Sequence, residues 1–306
     1  MGYIDKISQW WPPEAIAKGI GVPGYADQTI YNYIALAFWS TNGPLDIVNI
    51  WANPLFYFGA ENPFGSTNDQ IQKTLKKKYN DGGVKILISA FGATEFPTTN
   101  GVDPVDCANK LGNFVLQNNL DGVDIDWEDN AAMEAGKGEA WLIAFSTKLR
   151  ELLPNHIICH APQAPYFKEE YYKNGAYMTV HKQVGKLIDF YNVQFYNQGD
   201  TKYDSYQALF LESGSFFSGT SVNEIIKRKV PSNKIVIGKP VTQADAANTG
   251  TVDNVDLGKW ASQAYTDLNW YAGIMYWQYP SDVGGKAIQS SAGHLKELCS
   301  ENKNCK

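Results

Sequence analysis

The sequence predicts a (β/α)8 barrel, an α/β fold, as a single domain over residues 1–306. Two observations favour this fold. Eight short runs of apolar or β-branched residues recur along the chain, which gives about 38 residues for each strand–helix unit. Most of these runs are continuously apolar rather than alternating, which is typical of parallel strands buried on both faces.

The predicted strands are separated by stretches with helix signals. Polar caps begin Thr67–Tyr79, an Asp-Pro pair begins Asp103–Leu120, and Glu139–Leu153 is amphipathic and stops before Pro154. We predict helices over these three segments. The strands are predicted around Tyr3 and at Tyr31–Phe38, Val84–Phe91, Gly122–Trp127, His156–Pro162, Asp189–Tyr196, Lys234–Pro240 and Ala272–Gln278.

An open, doubly wound sheet is the alternative fold, and it requires a glycine-rich phosphate turn. The segment Gly19–Gly24 has the spacing G-x-G-x-x-G. The residues before it look helical, however, and Pro23 prevents a helix from continuing out of the motif. We therefore predict a helix-to-strand turn at this point, without a dinucleotide.

Composition and charge exclude several classes of protein. The net charge of −6 and the pI near 5.3 disfavour nucleic acids and anionic membrane surfaces as partners, because both need basic patches. No apolar run reaches the roughly 18 residues of a membrane helix. Aromatic residues make up 13% of the chain, which suits either sugar binding or a large core. We expect a monomer that is secreted, with any leader absent from this chain.

The four cysteines and four histidines indicate no metal or cofactor site. The cysteines lack metal-ligand spacing, and the phosphate-loop, nucleophile-elbow and zinc-protease motifs are absent. We therefore expect no metal and no cofactor. The spacing of Cys299 and Cys305 is compatible with a local bridge, whereas Cys107 and Cys159 fit a core.

Two connections bear on function. The connection from Trp39 to Gly83 is the longest, and long connections in compact domains are often functional. Its rings either contact a ligand or fill a satellite core. The connection Val241–Tyr271 leaves room for one helix and for no inserted domain. The aromatic residues of the longest connection are Trp39, Trp51, Phe56, Tyr57, Phe58 and Phe64.

The segment from Leu120 to Asn130 carries the chemistry. Side chains alternate across a strand, so Asp124, Asp126 and Glu128 share one face. The other face is apolar and suits the surrounding helices, so the three acids are predicted to point into the barrel. Neighbouring carboxylates in a poorly solvated channel cannot all ionise cheaply, and at least one pKa should rise. A carboxylic acid that stays protonated near neutral pH is what general-acid catalysis needs.

Other interpretations of these acids are weaker. The solvated face of an edge strand is excluded because a closed barrel has no edge. A calcium loop of the EF-hand type needs glycine at its sixth position, where Asp129 stands. A carboxylate cluster that binds magnesium or manganese stays open as an alternative.

The acids lie in Asp121-Gly-Val-Asp124-Ile-Asp126-Trp-Glu128, which resembles the D-G-x-D-x-D-x-E signature of glycoside hydrolase family 18, the chitinase family. The resemblance spans the whole chain. Phe91 departs from it, since it stands where the third strand of the family has glycine. The other segments that resemble family strands are Gly2-Tyr3, Ser89–Gly92, Ala161–Tyr166, Gln194–Asn197 and Tyr276–Tyr279.

The resemblance implies a retaining mechanism without a protein nucleophile. Glu128 would protonate the glycosidic oxygen while the 2-acetamido oxygen of the substrate attacks C1. Asp126 would accept a hydrogen bond from the acetamido N–H, and Asp124 would share a proton with Asp126. Tyr196 would hold the acetamido oxygen, and Trp277 would stack beneath the sugar. The rest of the pocket would be lined by Tyr3, Phe38, Gly92, Gln194 and Asn197.

Two nearby residues receive other predicted roles. Asp121 has the wrong parity for the pocket, so it is expected to cap the start of the strand. His160 is predicted to lie beside the site, where it either modulates the acid or donates to a carbonyl.

The resemblance implies a chitinase, acting on chitin or N-acetylglucosamine oligosaccharides. The short Val241–Tyr271 connection favours an open cleft and therefore cleavage within the polymer. An endo-β-N-acetylglucosaminidase acting on the chitobiose core of N-glycans is the alternative. A non-catalytic chitin-binding lectin is more remote, because Asp126 and Glu128 are both present.

Overall fold

Eight parallel strands close into a barrel in the computed structural model, which describes residues 1–4, 31–282 and 285–301. β1 pairs with both β2 and β9, so the sheet has no open edge. The short β3 pairs antiparallel with β2 and lies outside the barrel. In chain order the strands are β1 (Gly2–Ile4), β2 (Tyr33–Ser40), β3 (Gly43–Pro44), β4 (Lys85–Gly92), β5 (Gly122–Trp127), β6 (Ile157–His160), β7 (Phe190–Gln194), β8 (Ile235–Pro240) and β9 (Ile274–Trp277).

The eight barrel strands coincide with the eight predicted runs, which confirms the predicted (β/α)8 fold. β6 is shorter than predicted, because the chain turns into a 3-10 helix soon after Pro162. The α-helices are Asp46–Ala52, Pro54–Phe58, Asn68–Asp81, Pro104–Gln117, Asn130–Glu134, Gly138–Leu152, Ala176–Val184, Val222–Lys227, Asn254–Leu268 and Lys286–Glu301.

The three predicted helices are confirmed, and the polar caps of the first two act as the sequence indicates. The Thr67 hydroxyl accepts the backbone N–H of Gln70 at 3.2 Å. The Asp103 carboxylate accepts two N–H groups, from Val105 and Asp106, each at 2.9 Å. Each cap satisfies donors that the first helical turn leaves unpaired, which fixes where the helix begins.

Two hydrophobic clusters divide the interior. The larger one lies between the barrel and its helices and contains the outward-facing residues of β5, which are Val123, Ile125 and Trp127. The smaller one lies inside the barrel. It contains Tyr3, Ala35, Ala37, Leu87, Cys159, Ala161, Val236 and Met275, with Phe38 and Trp277 packed against it. The interior is thus a packed core below the carboxyl ends of the strands.

The two connections singled out by the sequence have different outcomes. The long connection folds into short helices, and its rings at Trp39, Trp51 and Phe64 are buried in the larger cluster, as the satellite-core interpretation predicts. Phe56 is 81% exposed and lies outside that interpretation. Residues 241–271 hold the helix Asn254–Leu268 and no inserted domain, as predicted.

Some predictions fall outside the described residues. The turn predicted at Gly19–Gly24 and the bridge predicted between Cys299 and Cys305 belong to this group. Cys107 and Cys159 are buried and unpaired, which confirms the prediction that they are core residues. No described helix is long and apolar enough to cross a membrane.

Candidate active site

β5 places the predicted acids at three depths in the barrel. Asp124 is fully buried, Asp126 is 5% exposed, and Glu128 lies just beyond the strand end, partly exposed at the mouth. Because Val123 and Ile125 pack outside the barrel, the alternation predicted from the sequence is confirmed.

Asp124 is the deepest acid and accepts hydrogen bonds from four side chains. The donors are the hydroxyl of Tyr3 at 2.7 Å, the hydroxyl of Ser89 at 2.8 Å, the amide of Asn192 at 3.0 Å and the thiol of Cys159 at 3.1 Å. Burial raises the pKa of Asp124, and the four hydrogen bonds oppose that rise. The strands β1, β4, β6 and β7 therefore jointly position one carboxylate.

Asp126 and Glu128 form a coupled pair above it. Burial and the nearby charges of Glu128 and Asp124 raise the pKa of Asp126 well above its usual range. Burial also raises the pKa of Glu128, while hydrogen bonds from Gln163 and Gln194 oppose the rise. Because each ionised carboxylate disfavours ionisation of its neighbour, the two groups titrate as a pair.

Two amides orient this pair without neutralising it. Gln194 donates from Nε2 to Oδ1 of Asp126 at 2.9 Å and lies 3.4 Å from Oε1 of Glu128. Gln163 donates to Oε2 of Glu128 at 3.1 Å. Sharing of a proton between Asp124 and Asp126 stays a prediction. Asp124 acts on Asp126 through its charge.

Tyr196 is buried near all three acids, whose charges add to burial in raising its pKa. Its backbone is held by Lys239. The ammonium group donates to the carbonyl oxygens of Phe195 and Tyr203 at 2.8 Å and of Gly250 at 3.0 Å. A Cβ added at Gly250 would approach the Cα of Tyr196 to 2.5 Å, so this glycine packs directly on it. Lys239 thus joins the segments that fix Tyr196.

An aromatic surface borders the acids from the other strands. Trp277 is partly exposed and stacks on Phe38, with ring centroids 6.0 Å apart and an interplanar angle of 21°. The ring centroid of Tyr3 lies 5.8 Å from that of Trp277, and the hydroxyl of Tyr3 donates to Asp124. Tyr3 therefore links the aromatic surface to the acids. Gly92 has φ +76°, and a Cβ there would lie 2.9 Å from the Phe38 ring. Only glycine leaves room for that ring.

Asn197 is the predicted pocket residue with a different set of partners. It follows Tyr196, but its Oδ1 accepts the backbone N–H groups of Ala247 and Asn248 at 2.8 and 3.1 Å. The side chain therefore anchors the connection that follows β8. Its predicted contact with substrate stays a prediction.

Phe91, which stands where the family has glycine, does not place its ring in the site. Ser89 faces inward, so regular alternation would also point Phe91 into the barrel. Its φ of +81° turns the side chain outward, where it packs on Trp39, Trp141 and Phe145.

The prediction that His160 lies beside the site is wrong. The side chain lies on the outer face of β6, where Nδ1 is 3.1 Å from the hydroxyl of Tyr177 and Nε2 is 3.4 Å from that of Ser146. Burial lowers the pKa of His160 to about 3, so it is neutral. Cys159, one residue earlier, takes the inward position.

Asp121 has the predicted structural role. It lies at the amino-terminal end of β5, where its carboxylate accepts the backbone N–H of Ile86 at 2.9 Å and pairs with Lys76 at 3.1 Å. The sequence prediction missed five contributors, of which Ser89, Asn192 and Cys159 surround Asp124 and the other two are Gln163 and Lys239. Gln163 lies in a segment that matched the family, yet no local signal marks which residue there reaches Glu128. Lys239 could have been singled out as a charge inside an otherwise apolar strand.

The described residues contain no group of three or more His, Cys, Asp or Glu side chains arranged to hold a metal ion. The acids are instead bonded to amides, hydroxyls and a thiol. A pair of carboxyl groups with raised pKa values beside an aromatic surface, at the carboxyl end of a (β/α)8 barrel, is an arrangement typical of glycoside hydrolases.

Comparison with known proteins identifies the family. The model of glycosyl hydrolases family 18 matches residues 1–296, so the chain belongs to that family and is a chitinase-like glycoside hydrolase. Among solved structures, the chain is similar to a GH18 chitinase from Pseudoalteromonas aurantia, at 28% identity and a TM-score of 0.71, with 95% of this chain and 98% of that chain covered.

Two further structures show how widely the fold is used. A putative chitinase A from Streptomyces coelicolor is 19% identical, with a TM-score of 0.67 and 97% of each chain covered. The xylanase and α-amylase inhibitor protein XAIP-II from Scadoxus multiflorus is 17% identical, with a TM-score of 0.58 and coverage of 95% of this chain and 97% of that chain. At these identities the likeness shows the fold alone.

Proposed function

We propose that the protein is an endo-acting, retaining chitinase that hydrolyses β-1,4 linkages between N-acetylglucosamine units by substrate-assisted catalysis. The observation that carries this proposal is the placement of Asp126 and Glu128 at the barrel mouth, where Gln194 donates to both and burial raises the pKa of each. Membership of glycosyl hydrolases family 18 and the likeness to a chitinase at 28% identity support the substrate class.

Glu128 is the residue best placed to be the general acid. It is the outermost of the three carboxyls, and burial raises its pKa, which favours its protonated form. The proton passes from Glu128 to the glycosidic oxygen as the bond to C1 breaks. Water later adds at C1 as the bond between C1 and the acetamido oxygen breaks, and it returns a proton to Glu128. Acid–base catalysis of this kind contributes about 10²- to 10⁴-fold in rate.

The nucleophile is the 2-acetamido oxygen of the substrate, which forms a bond to C1 and gives an oxazolinium ion. Asp126 accepts the acetamido N–H, which favours the ionised form of Asp126 and, through that charge, the protonated form of Glu128. The negative charge of Asp126 then stabilises the cation. Tyr196 holds the acetamido oxygen towards C1, and Trp277 supports the sugar ring. Holding the reacting atoms close together lowers the barrier.

The height of the cleft wall bears on whether the polymer is cleaved internally or from one end. The connection after β8 contains one helix and no inserted domain, so one wall of the cleft stays low. A polymer can then lie across the cleft without threading an end into it. We expect a monomer acting on extracellular polymer, which requires secretion.

The alternatives differ in substrate or in turnover. An endo-β-N-acetylglucosaminidase would use the same acids on N-glycans. A non-catalytic binding protein on this fold is disfavoured, because Asp126 and Glu128 are both present and hydrogen-bonded.

The test is digestion of the chitin hexamer and, in parallel, of a high-mannose glycoprotein. We expect dimers to tetramers from the hexamer, products in the β-anomer, and no release of glycans. Glu128→Gln should lower kcat by at least about 10³-fold with little change in sugar binding, because the amide keeps the shape and loses the proton. Glycan release with an intact hexamer would establish the alternative substrate, and retained turnover in Glu128→Gln would refute the acid's role.

A further inference from the structure

We propose that Tyr171, Phe216 and Phe217 form a second contact site for the polysaccharide, on the rim of the barrel mouth and outside the cleavage site. This inference rests on the proposed function and adds to it a surface that holds the polymer. We call these three side chains the rim platform.

The rim platform lies at the same end of the barrel as Glu128. Tyr171 belongs to the connection between β6 and the helix Ala176–Val184, and Phe216 to the connection between β7 and the helix Val222–Lys227. Both connections leave the carboxyl ends of their strands, which form the mouth of a (β/α)8 barrel.

The rings of the platform are exposed and mutually packed. Phe216 is 61% exposed and Tyr171 is 43% exposed. The ring centroid of Tyr171 lies 5.3 Å from that of Phe216 and 5.6 Å from that of Phe217, and the two Phe rings are 4.9 Å apart. Exposed rings gathered in this way leave apolar area in water, which a ligand with an apolar face would cover.

Polar contacts hold the backbone beneath the rings. The ammonium of Lys168 donates to the carbonyl of Phe216 at 3.2 Å, and the N–H of Phe217 donates to the hydroxyl of Thr201 at 3.0 Å. Arg228 pairs with Glu170, next to Tyr171, at 2.8 Å. A platform fixed in this way loses little conformational freedom when a ligand binds.

A chain of ring contacts anchors the platform beside the strand that carries the acids. Tyr171 contacts Tyr172 at 5.0 Å, Tyr172 contacts Tyr166 at 5.6 Å, and Tyr166 contacts Trp127 at 6.2 Å. Trp127 immediately precedes Glu128 but packs in the larger cluster outside the barrel. The platform is therefore anchored on the outer side of β5, outside the cleavage site, and only a polymer that extends beyond the cleft would reach it.

The chemistry favours a β-linked amino-sugar polymer over a protein. A pyranose ring has an apolar face that stacks on an aromatic ring, and the platform is bordered by polar groups on Lys168, Glu170, Ser215 and Ser218. A stable protein interface buries about 800 Å² on each partner, far more than three partly exposed rings offer.

The test compares long and short substrates in Tyr171→Ala/Phe216→Ala. We expect KM for soluble glycol chitin to rise about tenfold, at about three- to fivefold for each ring removed. We expect kcat/KM for a chromogenic chitobioside to stay within about twofold, because this substrate does not reach the rim. Mobility in gels containing glycol chitin should change in parallel with KM, which measures binding without turnover.

Phe56→Ala is the matched control, since Phe56 is 81% exposed but lies near the other end of the barrel. Its helix contacts Asn68, and the neighbouring Asp69 accepts the side chain of Asn119 shortly before β5 begins. Phe56→Ala should leave both substrates unaffected, and Phe216→Tyr, which keeps the ring, should behave as wild type.

Three results would overturn the inference: equal effects on both substrates, no effect on either, or a change from dimer to monomer in light scattering with polymer binding unchanged. Failure of the wild-type protein to cleave either substrate would instead reject the proposed function, and the gel measurement would still report on the platform.

Discussion

Acidic side chains at the two ends of the barrel have different kinds of hydrogen-bond and charge partners. At the amino-terminal end, Asp121 precedes β5 and Asp189 precedes β7. Each accepts a backbone N–H of a neighbouring strand, from Ile86 at 2.9 Å and from Ile158 at 2.8 Å. Asp121 also pairs with Lys76 at 3.1 Å, and Asp189 pairs with Arg150 at 2.8 Å.

At the carboxyl end the partners are neutral. None of the ion pairs within residues 1–4, 31–282 and 285–301 includes Asp124, Asp126 or Glu128. A cation beside a carboxylate strongly favours the ionised form and so lowers the pKa of the group. Neutral amides and hydroxyls also orient the carboxylate, but they lower its pKa less. From this comparison we expect that cation-paired acids join strands, whereas the neutral partners of Asp124, Asp126 and Glu128 leave a proton available for chemistry.

The largest expected difference between the ends is in activity. Asp126→Asn should lower kcat on chitin hexamer by about 10²- to 10⁴-fold, because the amide cannot stabilise the oxazolinium cation by charge. Asp121→Asn is the matched change at the other end and should leave kcat within about twofold. A comparable loss of kcat in both variants would show that catalysis does not depend specifically on the acids at the carboxyl end.

Two lysines at opposite ends of β8 give a second comparison: Lys239 lies in the strand and Lys234 immediately precedes it. Lys239 at the mouth donates to three carbonyls around Tyr196, and Lys234 at the other end donates to the carbonyls of Gly185 and Ile188. Burial lowers the pKa of Lys239 to about 7. Lys239→Met should lower kcat/KM about ten- to 100-fold by releasing Tyr196.

Lys234→Met should cost stability without this loss of activity. Melting temperatures of both variants separate misfolding from loss of position. If Lys239→Met melted normally and kept wild-type kcat, the proposed support for Tyr196 would be excluded.

Two glycines at opposite ends of β4 provide a smaller test. Gly83 precedes β4 and Gly92 ends it, and both have positive φ, at +80° and +76°. Alanine should cost about 1 kcal/mol at each position through backbone strain. Only at Gly92 would the new Cβ meet the Phe38 ring, so only Gly92→Ala should raise KM, by about threefold. An equal KM for both variants would show that the Phe38–Trp277 surface does not contact the sugar.

The smallest expected effect is a pH-dependent change in stability. The folded-state pKa of Asp126 lies above its unfolded value near about 4, so the unfolded chain loses this proton first as pH rises. Native stability from this group is therefore present at low pH and is lost as pH rises through the folded pKa. Asp126→Asn should raise the melting temperature by a few °C at pH 8 and by little at pH 4. The reverse order would contradict the assigned direction.

Local pattern predicted much of this molecule. Continuous apolar runs located the eight strands, and alternation along β5 placed Asp124, Asp126 and Glu128 inside. Alternation failed where the backbone leaves regular geometry, as at Phe91, whose positive φ turns the ring outward. For His160, the family resemblance placed the side chain beside the site, whereas strict alternation with Cys159 inward would have placed it outside.

The remaining gaps are long-range contacts. Gln163 reaches Glu128 across 35 residues, and Lys239 reaches Phe195 across 44. Local sequence carries no record of which distant backbone or carboxyl group a side chain will meet. Burial of a charge in an apolar strand signals that a partner exists, but the partner is chosen by the closure of the barrel.

The claim that acids with neutral partners retain a proton is tested most directly by infrared difference spectroscopy at pH 7. We expect a band from a protonated carboxyl group in the wild-type protein, its loss in Asp126→Asn and its persistence in Asp121→Asn. A wild-type spectrum with every carboxyl group ionised at pH 7, in protein that turns over chitin hexamer, would contradict the account.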